Sequence, residues 1–289
     1  MKAPSRPGPS EPASALSCVI RCAGHLAISP AYCLVRDGLI EGHTSSATIV
    51  HAISTSLPEQ RSFLRLVNWL IPGQDAIDQV GHAVNQLGLQ CSHDLFLAAS
   101  LHRMLHRLDE AAFRAFRRWS LSCGLAAHFA FRRQAQPESA RPLLEGLLAP
   151  LGLLLLAQCE PQTMARIRSE CDETRPLAEA IKNAFGFGHQ AVAAELLRYW
   201  VAPAGLVQVL SMMQAPESAA PYQLEAANLN LAWQLAEAMQ QGRDPESARD
   251  FAPAAAWAIS GLHPFDLGQL AALVDTHRGG LAEALGWTD

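Results

Sequence analysis

Residues 185–210, FGFGHQAVAAELLRYWVAPAGLVQVL, leave this chain few ways to fold. Gly186 and Gly188 interrupt one helix, and His189 opens another. Val192, Leu196 and Tyr199 recur at helical spacing beside Ala193 and Trp200, so this second helix carries one broad apolar face. Ala202-Pro203 stops it, because the residue before a proline is pushed out of the helical region. Pro203 is suited to be the first residue of a third helix.

The remaining segments read the same way. Leu and Ala dominate while Val, Ile and aromatic residues are sparse, a balance that favours helix. Residues 1–13 carry prolines and charges without periodicity and are expected to be a disordered tail. Helices are predicted at 14–23 and 32–40, and again up to Ile53 behind caps from Thr44, Ser45 and Ser46. Ser56 and Glu59 are spaced as a capping box for a helix carrying Phe63, Leu66 and Val67. Ile77, Val80, Val84 and Leu87 mark a helical face closed by Gly88, and Ser92 is placed to cap the next helix. Asp109 is placed to open a helix in which Phe113, Phe116 and Trp119 follow in steps of three. The apolar run 143–156 contains Pro150, which predicts a kink or a fresh helix start there. Helices over 176–185 and 222–241 follow, the second ended by Gly242, and shorter ones fill the chain to Trp287. No segment alternates as a strand, and no period of 20 to 50 residues marks a solenoid. The fold class is all-α.

Composition narrows the function classes. With 289 residues, 49% of them hydrophobic, the chain can bury a substantial core in one large domain or two. A net charge of -5 gives no general attraction to nucleic acid or anionic lipid, so neither is expected as a partner. Seven cysteines without a CxxC or a paired framework point to reduced thiols in a cytoplasm, with Cys18 and Cys22 read as small core residues on one helix face. The N-terminus lacks the apolar core of a signal peptide, and the uncharged run 146–157 is too short to span a bilayer.

Six segments, in order, resemble the HDOD domain, a bacterial all-helical signalling module related to the HD phosphohydrolases. They are FLRLVN (63–68), AVNQLGL (83–89), RRWSLSCGLAA (117–127), EGLLAPLGLLLL (145–156), FGFGHQAVAAELLRYWVAPAGLV (185–207) and LNLAWQLA (229–236). The fifth is close to the family pattern FGxxHxxVGxxLLxxWxLP. The resemblance implies an N-terminal helical part (14–106) packed on a degenerate HD-like part (107–241), with 242–289 as a C-terminal helical extension. One departure lies at Ser56-Leu57, where many members of the family read Asp-Pro.

HD phosphohydrolases converge His and Asp side chains on divalent metal, which activates a water. Laid on this chain, the resemblance puts Trp119 at the first His, Ala149-Pro150 at the His-Asp pair, Met212-Met213 at a later His-His pair and Trp233 at the distal Asp. Only His189 keeps its type. Indole, methyl, pyrrolidine and thioether groups cannot hold a hard metal, and one imidazole cannot do so alone. These seven positions are therefore the candidate residual pocket. No cofactor, catalytic residue or metal ligand is expected, and the large apolar substituents are expected to fill the old cavity.

The resemblance thus implies a non-catalytic regulatory module whose output is a contact with another signalling protein, of a two-component or cyclic-di-nucleotide pathway. Two other readings remain open. A nucleotide sensor at His189 requires a polar-lined cavity faced by arginines. An active metal-dependent phosphohydrolase requires a new ligand set, for which Glu179, Glu195 and His128 are the candidates. His102 and His106 are spaced i, i+4, as a two-histidine metal site requires, but Arg103 and Arg107 beside them repel a cation. Eight arginines and three acids fall between Arg103 and Arg141, a local net of +5. Arg103, Arg107, Arg114, Arg117, Arg118, Arg132 and Arg133 are accordingly a candidate basic patch. The oligomeric state is left open.

Overall fold

The computed structural model describes residues 14–22, 26, 28–40, 45–72, 75–105, 110–133, 139–171 and 176–287. The tail at 1–13, Asp109, His106 and Arg107 lie outside these residues, as does the side chain of Cys22.

Among the described residues every regular element is a helix. The first five are α1 (Ala15–Cys22), α2 (Pro30–Ile40), α3 (Ser46–Ser54), α4 (Leu57–Leu70) and α5 (Val80–Leu105). Ser45 caps α3 as its sequence suggests, its side chain accepting from the Thr48 N–H. The capping box at α4 does not form. Ser56 makes no side-chain cap bond, and its hydroxyl instead receives Arg103 Nη1 at 3.4 Å. Glu59 is buried, with neither carboxylate oxygen hydrogen-bonded. Residues 75–79 precede α5 without helix because Asn68 holds them: its Oδ1 accepts the Ile77 N–H (2.8 Å) and its Nδ2 donates to the Ile77 carbonyl (2.9 Å). Gly88, at φ 76° and ψ 172°, breaks α5 inside its span. Ser92 is therefore already within the second half of α5, and its hydroxyl donates back to the Gly88 carbonyl at 2.7 Å.

The chain continues with α6 (Glu110–Arg132), α7 (Arg141–Leu148), α8 (Leu151–Cys159), α9 (Pro161–Glu170), α10 (Leu177–Phe185), α11 (His189–Tyr199) and α12 (Ala204–Met212). The last three are α13 (Gln223–Gln240), α14 (Ala254–Ser260) and α15 (Asp266–Leu285). Pro150 separates α7 from α8, so the apolar run turns into two helices. The stretch Arg141–Cys159 is long and apolar enough to cross a membrane, but most of it is buried within the fold. Pro203 is the cap of α12 and not its first residue. The helix α9 has no counterpart among the segments predicted from sequence, and Pro161 starts it.

One hydrophobic core runs through the molecule. The long α6 lies against α7, α13 and α15, while α11 lies against α8, α12 and α1. Thus α1 packs on helices far along the chain, and α15 spans α4 and α6. Two crossings are set by glycine. A Cβ on Gly152 would stand 1.8 Å from the His189 carbonyl oxygen, and one on Gly146 would stand 2.5 Å from that of Cys123. The backbones of α8 and α11, and of α7 and α6, therefore touch directly.

Candidate functional site

His189 is the first residue of α11, behind an extended Gly188. That position turns its ring inward, where it is fully buried. The imidazole stacks on Trp233 of α13, with ring centres 4.1 Å apart at 21°. Trp233 in turn meets Trp119 of α6 at 4.8 Å. Neither imidazole nitrogen has a hydrogen-bond partner. Burial lowers the His189 pKa to about 3, so the ring is neutral at ordinary pH.

The seven candidate pocket positions do not form one site. His189, Trp233 and Trp119 make a continuous aromatic stack. Ala149 is buried at the end of α7, and Pro150 next to it lines a cavity. Met213 is buried, and its carbonyl accepts from Asn230 Nδ2 at 2.9 Å. Met212 is a correction to the expected set. Its side chain is partly exposed and lines a shallow depression on the other side of α12, because adjacent residues of a helix face different directions.

The donor set does not fit a divalent metal. Among the described residues no three His, Cys, Asp or Glu side chains converge. Glu195 pairs with Arg198, and Glu179 is exposed. His128 is buried against Trp69 and Phe129, with its pKa lowered to about 4 by burial and by the positive charge of Arg132.

The space around His189 itself is taken up by the Trp233 ring. Beside the aromatic stack lies an open cavity of about 830 Å³. Its walls are mostly apolar: Phe116 and Trp119 of α6, Leu153, Leu154 and Ala157 of α8, Met164 of α9 and Leu177 of α10. Its polar lining comes from the ends of α9 and α13, with Arg168, Cys171, Gln240, Gln241 and Arg243. His189 is not part of its described lining. Glu237 sits behind this end, taking the Leu177 N–H at 3.0 Å. Burial raises its pKa, against the opposing pull of that bond and of Arg243.

The described arginines of the candidate basic patch likewise do not share a face. Arg117 is buried, donating to the Trp287 carbonyl at 2.8 Å and lying over the Phe113 ring at 5.3 Å. It therefore drops out of a surface patch, because α15 delivers the chain end onto α6. Arg133 is bound to Asp266 at 2.9 Å. Arg114, Arg118 and Arg132 are exposed on α6, and Arg103 reaches Ser56. His102 meets the Phe113 ring edge-on at 5.9 Å.

One polar cluster escaped the reading of the sequence. The Tyr32 hydroxyl meets His93 Nε2 at 3.0 Å, and His93 Nδ1 meets Asp94 Oδ1 at 3.1 Å. Arg141 Nε then donates to Asp94 Oδ2 at 2.8 Å. Tyr32, His93 and Asp94 are all buried, and the chain of bonds ties α2, α5 and α7 together. Burial and the Asp94 charge push the Tyr32 phenol above its ordinary range. Glu145 of α7 lies close to this group, and burial raises its pKa well above the usual carboxylate value. The available signal was the polar triplet Ser92-His93-Asp94 at the head of an apolar stretch.

A sequence model of the HDOD domain matches residues 44–216, more than half of the chain. Three crystal structures share the fold. A provisionally named phosphohydrolase of Shewanella amazonensis SB2B is 20% identical over 94% of this chain and 98% of its own, with a TM-score of 0.65. An HDOD domain protein of unknown function from Geobacter sulfurreducens is 14% identical over 93% and 97%, with a TM-score of 0.63. A provisionally named signal transduction protein of Marinobacter aquaeolei VT8 is 16% identical over 90% of this chain and 59% of its own, with a TM-score of 0.62. At these identities the likeness is one of fold. A comparison with curated proteins gives no significant match.

Proposed function

The chain belongs to the HDOD domain family, and from that premise we propose that it is a non-catalytic bacterial signalling module that acts in the cytoplasm by contact with another protein. The observation that carries this reading is the state of His189. Its imidazole is buried against Trp233, unbonded and neutral, and among the described residues no three metal-binding side chains converge. Water activation needs several neutral imidazoles and carboxylates around a metal with one open position.

An exposed apolar surface supports the contact half of the proposal. Tyr199, Val201 and Met212 are 57%, 50% and 38% exposed at the ends of α11 and α12. Val201 and Met212 flank a shallow depression with Ala204 and Val207 between them. Apolar side chains gathered in this way are typical of protein contact sites. The partner class is a protein of a two-component or cyclic-di-nucleotide pathway.

Metal content and hydrolysis test the first half. The purified chain is expected to hold no stoichiometric metal. It is expected to leave p-nitrophenyl phosphate and cyclic di-nucleotides intact with Mg²⁺, Mn²⁺ or Fe²⁺. Stoichiometric metal, with hydrolysis lost in His189→Ala, would overturn the reading. For the second half, cross-linked partners are expected to be lost from Tyr199→Glu and Val201→Glu while an Arg132→Glu control keeps them.

A further inference from the structure

We infer that the cavity beside the aromatic stack binds a single-chain amphipathic anion, a molecule with a long apolar body and one carboxylate or phosphate head. Its volume, about 830 Å³, falls within the ~300–1,000 Å³ of small-molecule sites. The body of the ligand is called for by α6 and α8, which present Phe116, Trp119, Leu153 and Leu154 to the cavity. An apolar ligand gains there in proportion to the apolar area it removes from water.

The head is called for by two arginines. Arg168, at the end of α9, and Arg243, just after α13, both line the cavity. Arg168 forms no ion pair with any described acid, and Arg243 forms none either. Arg243 is held in place over the Phe251 ring at 4.8 Å, and its Nε is buried without a hydrogen bond. Glu237, which attracts it, has already taken the Leu177 N–H. Among the described residues no carboxylate lines the cavity. Guanidinium groups at the rim of a largely apolar space, with no carboxylate among its described lining, select a ligand that brings one anionic group. A nucleotide fits less well, since the lining offers only Gln240 and Gln241 to read a base and no glycine-rich turn to cradle a chain of phosphates.

The inference goes beyond the signalling proposal and does not depend on it, since ligand binding and partner contact are measured separately. The experiment is calorimetric titration of the whole chain with hexadecanoate and with hexadecyl phosphate, below their aggregation concentrations. Intrinsic tryptophan fluorescence, to which Trp119 in the cavity wall contributes, serves as a second readout. Saturable one-to-one binding of either anion is expected, and the tighter of the two identifies the head group. Arg168→Gln/Arg243→Gln is expected to weaken it at least tenfold with an unchanged unfolding midpoint. Ala157→Phe, which fills the cavity, is expected to abolish it, and hexadecanol is expected to bind at least tenfold more weakly than the anions. Absence of saturable binding would overturn the inference and leave the cavity to an apolar side chain of a partner. Equal binding of hexadecanol, undisturbed by the double variant, would overturn the anionic head.

Discussion

A buried imidazole with both nitrogens idle gains nothing from being histidine once the protein is folded. Its charged form is excluded, while in the unfolded chain it titrates near 6.5. Below that pH the unfolded state binds a proton that the folded state refuses. Stability contributed by neutral His189 is therefore complete above pH 6.5 and lost as pH falls toward about 3. The slope is about 1.4 kcal/mol per pH unit for one such group. Glu145 and Glu237 act in the opposite sense: their raised values favour folding below about 4.5, and that benefit fades as pH rises. The comparison that isolates the histidine is urea unfolding of the parent chain and His189→Phe from pH 7.5 to 4.5. The variant is expected to match the parent within about 1 kcal/mol at pH 7.5 and to be relatively more stable at pH 4.5. A parallel pair of curves would rule this out. Gly152→Ala is expected to cost more than about 3 kcal/mol or to prevent folding, since its methyl would overlap the His189 carbonyl. Gly81→Ala, with open space around it in α5, is expected to change stability by no more than about 1 kcal/mol, toward greater stability. At this scale the sequence showed that His189 opens a helix but not what surrounds its ring. Stacking partners 44 positions away carry no local signature, and whether Arg117 faces water depends on where α15 comes to rest.

At the scale of elements, two junctions stand out. The turn from α11 to α12 places Val201 at φ 56°, a region that β-branched residues rarely adopt. Val201→Gly is expected to stabilise the protein by about 1 kcal/mol in thermal or urea unfolding, and to weaken partner capture by removing an exposed apolar side chain. The other junction is the end of α15. Trp287 is buried there against Phe113 and Phe116, with ring centres 6.1 and 6.0 Å away. Trp287→Ala is expected to cost about 3 kcal/mol, read as a lowered urea midpoint. Most helices were legible because apolar spacing and proline or glycine stops are local. The capping box was not, since Ser56 and Glu59 were drawn into the interior and toward Arg103. The helix α9 was missed because its ten residues hold only Met164 and Ile167 as buried anchors, too few to show a period.

For the molecule as a whole, the all-helical class and the family were readable from six short motifs in order. The cavity was not, because its walls come from α6, α8, α9, α10 and α13, and a void is a property of what their packing leaves out. Trp119 and Trp233 spend their bulk on each other and on His189, and the space toward α9 stays open beside them. The place where α8 meets α11 has a further consequence, for inheritance. With the His189 carbonyl seated where a methyl at position 152 would be, no compensating change in a neighbouring side chain can make room, because the obstacle is main chain. Lineages that keep this crossing are free to rewrite the residues around it, but they must pass on the glycine.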